Sequence, residues 1–83
     1  MNDALRDIIG YAAAGRFRIE PHCRVRMRER GSSVEDVRYA LVNAESCTGQ
    51  PNGRWKVKSS DLDGDELTMI VVLQSGVIVV TLF

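Results

Sequence analysis

The chain has 83 residues, with 11 Lys or Arg, 11 Asp or Glu and a formal net charge of zero. This length predicts one domain, and the balanced charge excludes a protein coated uniformly with basic residues for nucleic-acid binding. No apolar run reaches the ~18 residues of a membrane helix, and the first residues lack the long apolar stretch of an export signal. We therefore expect a cytoplasmic protein whose cysteines, Cys23 and Cys47, are reduced.

The first half of the chain predicts three helices. Apolar residues recur at helical spacing from Asn2 or Asp3 to about Ala14, and Gly15 ends this first helix. Residues 16–19 alternate polar and apolar side chains, which predicts a short extended segment before the second helix.

Two more helices follow in the sequence. Proline is common in the first helical turn, so the second helix is expected from Pro21 to Arg30, with Gly31 ending it. The third helix begins after Ser32 or Ser33, either of which can cap it. Its expected buried stripe consists of Val34, Val37, Leu41 and Ala44.

The second half of the chain predicts β-strands. After a loop over residues 49–53, apolar Trp55 and Val57 alternate with basic residues, so one strand face is apolar and the other basic. Residues 66–73 and 77–83 predict two further strands. These two are apolar on both faces, which is typical of central strands covered on both sides.

The order of these elements predicts an α+β fold. Two to three N-terminal helices would pack on a C-terminal antiparallel sheet of three to four strands. The second face of that sheet would then need a cover, supplied by the first helix or by a second chain.

Nothing in the sequence predicts a metal or cofactor site. The acidic segment from Asp61 to Glu66 resembles part of a calcium loop, but its glycine is misplaced and no glutamate stands at the twelfth position. We therefore expect a hairpin turn built on Asp63 and Gly64. Two cysteines and one histidine without close spacing also predict no zinc site.

The main candidate site lies on the second predicted helix. His22, Arg26 and Arg30 recur at every fourth residue and so share one helix face. Six of the eleven cations fall between Arg16 and Arg30. Histidine titrates near neutral pH, and arginine binds phosphate oxygens with paired hydrogen bonds. This combination indicates a phosphodiester substrate, and RNA in particular.

Metal-free RNA cleavage needs a base, an acid and positive charge at the phosphorus. His22 can serve as the acid or the base, and Arg26 and Arg30 can stabilise the developing charge. Thr81, the only polar residue of the last strand, either forms an internal hydrogen bond or faces a cleft. The basic strand face is expected to hold flanking phosphates through Arg54, Lys56 and Lys58.

Other interpretations stay open. A histidine near a helix start is often buried, and an arginine stripe can be a solvated face or can pair with Glu20 and Glu29. The protein would then be a non-catalytic interaction module whose C-terminal strands pair with a partner or with a second copy, giving a homodimer. RNA binding without cleavage is a third hypothesis, which steep salt dependence with intact RNA would support.

The run from His22 to Leu41 resembles the family called domain of unknown function 4258, whose pattern is H-A-x-x-R-M-x-x-R-G-I-S-x-x-D-V-x-x-A-L. The chain departs from this pattern at Cys23, where alanine is usual, and at Ser32, where isoleucine is usual. Weaker matches lie over residues 55–57 and in the final V-x-V-x-T strand. The matching positions in the helical run are His22, Arg26, Met27, Arg30, Gly31, Ser33, Asp36, Val37, Ala40 and Leu41.

This family is similar to the RelE-like and MqsR-like ribonuclease toxins of bacterial toxin–antitoxin pairs. The resemblance covers residues 16–83 and makes residues 1–15 an added N-terminal helix within the single domain of residues 1–83. It implies a helix-on-sheet fold, metal-free RNA cleavage and an antitoxin protein as partner. At residue level it extends to His22, Arg26, Arg30 and Thr81.

Overall fold

Three helices and five strands make up residues 2–83, the part of the chain that the computed structural model describes. This composition confirms the predicted α+β class. No helix within these residues is long and apolar enough to cross a membrane. In chain order the elements are α1 (Asp3–Ala13), β1 (Phe17–Ile19), α2 (Pro21–Arg30), α3 (Val34–Val42), β2 (Ser46–Gln50), β3 (Arg54–Ser60), β4 (Glu66–Leu73) and β5 (Val77–Leu82).

The helices begin and end where capping residues satisfy their free backbone groups. The Asn2 side chain accepts a hydrogen bond of 2.7 Å from the Leu5 amide at the start of α1. Gly31 ends α2 with a φ of 76°, a left-handed conformation that glycine adopts without steric cost. Ser33 caps α3 and forms a reciprocal capping box with Asp36. The predicted helix boundaries are confirmed to within about two residues, the margin by which the ends of a helix ordinarily vary.

The sheet is larger than predicted and is mixed rather than wholly antiparallel. Its strand order is β1-β5-β4-β3-β2, and β1 pairs with β5 in parallel while the other pairs are antiparallel. The predicted loop over residues 49–53 is wrong at its start, because Gly49 and Gln50 belong to β2. Only Pro51–Gly53 forms a short 3-10 turn between the two strands.

All three helices bury their apolar residues in one core on one face of the sheet. Ile8 of α1, Leu41 of α3 and Met69 of β4 are among its fully buried side chains. The prediction that Val34 belongs to the buried stripe of α3 is wrong, since its side chain is 41% exposed at the first residue of that helix. Ala40, at 0% exposure, lies in the buried stripe instead.

The opposite face of the sheet, called here the open face, carries no part of this core. Ile70, Val72 and Val80 lie outside the core cluster and are partly exposed. The prediction that the first helix could cover this face is wrong, since α1 packs on the core side, against α3. The open face is therefore available to a ligand or a partner as far as residues 2–83 are concerned.

Candidate nucleic-acid interface

Helix α2 exposes its basic residues because two buried side chains anchor its other face. Cys23 is 0% exposed and Met27 is 5% exposed, and both belong to the core. His22 and Arg26 each precede one of these anchors and are exposed to solvent. His22 and Arg26 are four residues apart, so at a rise of 1.5 Å per residue their Cα atoms lie about 6 Å apart along the helix axis. The predicted shared face of His22 and Arg26 therefore exists and is accessible.

The side chains of His22 and Arg26 are free of protein partners within residues 2–83. The ion pairs in this part of the chain join Arg6 to two neighbouring aspartates, at 3.5 and 3.8 Å. Glu20 and Glu29, the other side chains with which the stripe could pair, form no ion pair with it within residues 2–83. Both side chains of the predicted site can thus turn to a ligand without breaking a protein contact.

Arg30 differs from the other two predicted catalytic residues because it also holds the fold together. Its guanidinium donates a hydrogen bond to the carbonyl oxygen of Glu66, which ties the end of α2 to the start of β4. Its charge also contributes to lowering the pKa of Asp36. Removal of Arg30 is therefore expected to affect stability as well as any ligand.

A β-bulge in β5 decides which side chains reach the open face. Val79 and Leu82 both point into the core, at 0% and 1% exposure, although strict alternation would put them on opposite faces. The register shifts next to Ile70, which pairs with Thr81 and leaves Val80 as the extra residue. Thr81 consequently lies on the open face, is partly exposed and makes no side-chain hydrogen bond within residues 2–83.

The bulge also brings Phe83 onto the open face. Phe83 and Thr68 lie directly opposite each other, since they exchange two backbone hydrogen bonds of 2.8 and 2.9 Å. The Phe83 side chain is 52% exposed. The Nζ atom of Lys56 lies 5.9 Å from the centre of its ring.

Phe83 links α2 to the basic strand. Arg26 and Arg30 line a shallow depression of about 290 Å³ together with Glu29, Leu82 and Phe83. Lys56 approaches the same ring from β3. Phe83 therefore borders the depression that Arg26 and Arg30 line and also lies near Lys56 of the basic strand.

The predicted basic face of β3 lies on the open face of the sheet. Lys56 pairs with Ile70, which in turn pairs with Thr81, so these three side chains form a row across β3, β4 and β5. Neighbouring strands lie about 4.8 Å apart, so this row spans roughly 10 Å. Arg54 and Lys58 stand two residues from Lys56 on the same face and are exposed. All four predicted substrate-binding residues thus share one surface.

Sequence reasoning missed two members of this surface. Arg18 of β1 pairs with Ile78, which pairs with Val72, and so it lies at the far edge of the open face. The alternation of Arg18 with Phe17 indicates an extended segment, but the sequence does not indicate which strand pairs with β1. The bulge likewise moved Phe83 in a way that simple alternation does not predict.

Trp55 lies on the other side of the sheet from these cations. It is partly buried and packs against the core, as expected for the apolar face of β3. Its Cζ3 atom lies 3.6 Å from the position that a Cβ on Gly49 would occupy. Trp55 therefore belongs to the packing of the fold and not to the open face.

The acidic turn between β3 and β4 is accounted for by its own hydrogen bonds. Asp61 is buried, and its Oδ1 atom accepts backbone hydrogen bonds of 2.9 Å from both Asp63 and Asp65. The carboxylate oxygens of these three residues lie within 4.8 Å of one another, the arrangement within residues 2–83 that comes nearest to a metal site. The segment forms the hairpin turn that the sequence predicted, with Gly64 at a φ of 86°.

The two cysteines are free, buried thiols. Burial raises the pKa of Cys47 above its ordinary value. Burial also raises the pKa of Cys23, although the nearby charges of Arg24 and Arg26 act in the opposite direction. Thiolates are disfavoured at both positions, so neither cysteine has the character of a nucleophile.

No family model, curated protein or solved structure matches the chain. Within the structure, the residues of the run from position 22 to position 41, called here the motif, fall into two groups. Gly31, Ser33 and Asp36 shape the turn between α2 and α3, whereas the side chains of His22 and Arg26 make no hydrogen bond or ion pair within residues 2–83.

Proposed function

We propose that the protein is a toxin-like endoribonuclease that binds RNA on the open face and cleaves it without a metal ion. The observation that supports this most strongly is the position of Phe83, which borders the depression lined by Arg26 and lies near Lys56. Arg26 comes from α2 and Lys56 from β3. His22 lies one helical turn from Arg26 and is exposed. A phosphate bound at Arg26 would be within reach of the only imidazole of the chain.

The proposed reaction is transfer of the phosphoryl group to the neighbouring 2′-hydroxyl. The neutral imidazole of His22 accepts the 2′-hydroxyl proton while the 2′-oxygen bonds to phosphorus and the bond to the 5′-oxygen breaks. The imidazolium then returns a proton to the 5′-oxygen, directly or through water. Arg26 supplies two parallel hydrogen bonds to the phosphorane oxygens and stabilises their added charge. The products are a 2′,3′-cyclic phosphate and a free 5′-hydroxyl.

The basic side chains of the sheet would hold the rest of the RNA. Lys56, Lys58 and Arg54 can contact phosphates along β3, and such contacts position a strand without reading its sequence. A formal net charge of zero does not prevent this, because local potential steers ligands to a surface. In this proposal the substrate is cytoplasmic RNA, and the partner is an antitoxin that covers the open face.

A non-catalytic interaction module is the second candidate function. It is favoured by the apolar side chains of Ile70, Val72 and Val80, which are partly exposed on the open face. Pairing through the first half of β5 does not fit, because β1 already pairs with residues 77–79 there. A partner or a second copy that covers the open face fits these apolar side chains better.

RNA cleavage by the purified protein tests the proposal. A single-stranded RNA labelled at its 5′ end is incubated with wild type, His22→Ala, Arg26→Ala and the matched control Arg28→Ala. Arg28 is an exposed arginine of the same helix that does not line the depression at Phe83. We expect cleavage by wild type and Arg28→Ala in the presence of a chelator, and a rate at least ~100-fold lower for His22→Ala.

The ends of the products provide a second readout. Fragments that carry a 2′,3′-cyclic phosphate support transfer to the 2′-hydroxyl. Equal cleavage by wild type and His22→Ala would remove this histidine from the mechanism. Intact RNA with correctly folded wild-type protein would favour the interaction module.

A further inference from the structure

Phe83 is unlike the other exposed apolar side chains of the protein. Val25, Val34 and Tyr39 lie on helices α2 and α3, and Leu62 lies in the turn between β3 and β4. Within residues 2–83, Phe83 alone among these exposed side chains lies on the open face. Its exposed fraction of 52% is far above that of an aromatic side chain in a protein core. This exposure leaves the ring accessible to a ligand.

Basic residues of two elements lie near Phe83. Arg26 and Arg30 line the depression on the α2 side, and the Lys56 ammonium lies 5.9 Å from the ring centre on the β3 side. With Lys56 in that place, more than half of the Phe83 side chain is still accessible. A flat group can therefore contact the ring while anionic groups on either side of it meet the cations.

The ring is also held in place by the strand that carries it. Two backbone hydrogen bonds join Phe83 to Thr68, and the preceding residue, Leu82, is anchored in the core at 1% exposure. A ligand that contacts the ring consequently loses little conformational entropy in ordering the backbone beneath it.

A nucleotide within a single strand matches this arrangement. Its base offers an aromatic face, and a phosphate lies on each side of it along the chain. Stacking of bases on aromatic side chains beside basic residues is how proteins bind single-stranded nucleic acids. A paired base in a duplex has both faces covered by its neighbours and could not stack on Phe83.

Resting on the proposed function, we propose that the Phe83 ring stacks on one unpaired base of the substrate and so sets where the RNA lies on the open face. The phosphate on one side of that base is then at Arg26, one helical turn from His22, and the phosphate on the other side is near Lys56. Cleavage would occur at the phosphodiester adjacent to the stacked base. Phe83 acts here as a positioning residue.

Binding of a non-cleavable oligonucleotide tests this inference. The ligand is a single-stranded RNA with 2′-O-methyl groups, which lacks the attacking hydroxyl, and its fluorescence anisotropy reports binding to the full chain. Phe83→Leu removes the ring but keeps an apolar side chain, Phe83→Trp keeps a ring, and Tyr39→Leu removes an exposed aromatic from α3 as the control. We expect Phe83→Leu to weaken binding roughly 5- to 100-fold, while Phe83→Trp and Tyr39→Leu bind like wild type.

A scan with abasic nucleotides shows whether the ring contacts a base. Replacing one nucleotide at a time by an abasic unit should weaken binding to wild type at one position and should have no such effect with Phe83→Leu. The same single-position effect should persist with Phe83→Trp, which keeps the test decisive if the leucine variant fails to fold. The inference would be overturned if no abasic position weakened binding to wild type.

The outcomes separate this inference from the proposed function. If wild type cleaves RNA and Phe83→Leu binds and cleaves equally well, the stacking role is wrong and the ribonuclease proposal stands. If folded wild type binds no single-stranded RNA, both proposals fail. Equal affinity of wild type for a fully paired duplex and for the single strand would also overturn the stacking role.

Discussion

Replacing Asp36 with asparagine isolates the contact that joins α3 to the β3–β4 turn. The Asp36 carboxylate is 8% exposed. Its Oδ2 atom accepts hydrogen bonds from the Ser33 amide at 2.9 Å and from the Ser33 hydroxyl at 3.0 Å, and its Oδ1 atom accepts one from the Leu62 amide at 3.1 Å. Asparagine has the same shape but only one acceptor oxygen. Whichever way its amide turns, an N–H donor of the protein faces another donor.

The expected cost follows from that mismatch. A buried donor left without an acceptor destabilises a protein by about 1–3 kcal/mol. In a domain of this size, 1 kcal/mol lowers the melting temperature by roughly 4–8 °C. We therefore expect Asp36→Asn to melt roughly 5–20 °C below wild type at pH 7.

The effect should depend on pH in a defined direction. Hydrogen bonds from the backbone of Ser33 and Leu62 hold the pKa of Asp36 below its ordinary value. A carboxylate with a lowered folded-state pKa contributes stability above its unfolded pKa of about 3.9 and loses it as the pH falls through the folded pKa. The difference between wild type and Asp36→Asn should thus be full at pH 7 and should shrink below about pH 4.

Thermal unfolding followed by circular dichroism at pH 7 and near pH 3 measures both effects. The control is the double variant His22→Ala/Arg26→Ala, whose side chains are exposed and have no protein partners within the described residues. It should unfold within about 0.5 kcal/mol of wild type, as surface substitutions usually do. The conclusion that Asp36 supports the fold and that His22 and Arg26 do not would be refuted if Asp36→Asn melted like wild type or if the double variant melted far below it.

Two further predictions concern the fold. Gly76→Ala should destabilise the protein by about 1–3 kcal/mol in urea unfolding. The reason is that φ at Gly76 is 150° and that an added Cβ would lie 2.9 Å from a backbone oxygen. Gly10→Ala should instead stabilise α1 by roughly 0.5–1 kcal/mol, because no atom lies within 4 Å of the added Cβ. The reverse order of stability would contradict this account. Cys23 and Cys47, buried with raised pKa values, should react with a thiol reagent only after denaturant is added, so rapid reaction of either in the native protein would count against the packing described.

Local signals in the sequence were enough to predict much of the fold. Proline at position 21 and glycine at position 31 fixed the limits of α2, and alternation of basic and apolar residues predicted β3 with its basic face. The sequence left open whether His22 is exposed or buried, and the burial of Cys23 and Met27 on the other face of α2 accounts for its exposure. Each of these features depends on residues within a few positions of one another.

The features that were missed depend on contacts between distant residues. The parallel pairing of β1 with β5 joins residues about sixty positions apart, and three residues of alternation do not identify such a partner. The bulge at Val80 depends on the register of β4 against β5, and it alone decides that Phe83 reaches the open face. The depression between Arg26 and Phe83 could not be predicted for the same reason.

Expression in a bacterium, with total RNA examined for new 5′ and 3′ ends, tests the central claim most directly. Wild type, His22→Ala/Arg26→Ala and the control Arg28→Ala are induced to equal levels. The account predicts growth arrest and new RNA ends with wild type and with Arg28→Ala, and normal growth with intact RNA for the double variant. Normal growth and intact RNA with wild type, or identical cleavage with the double variant, would contradict it.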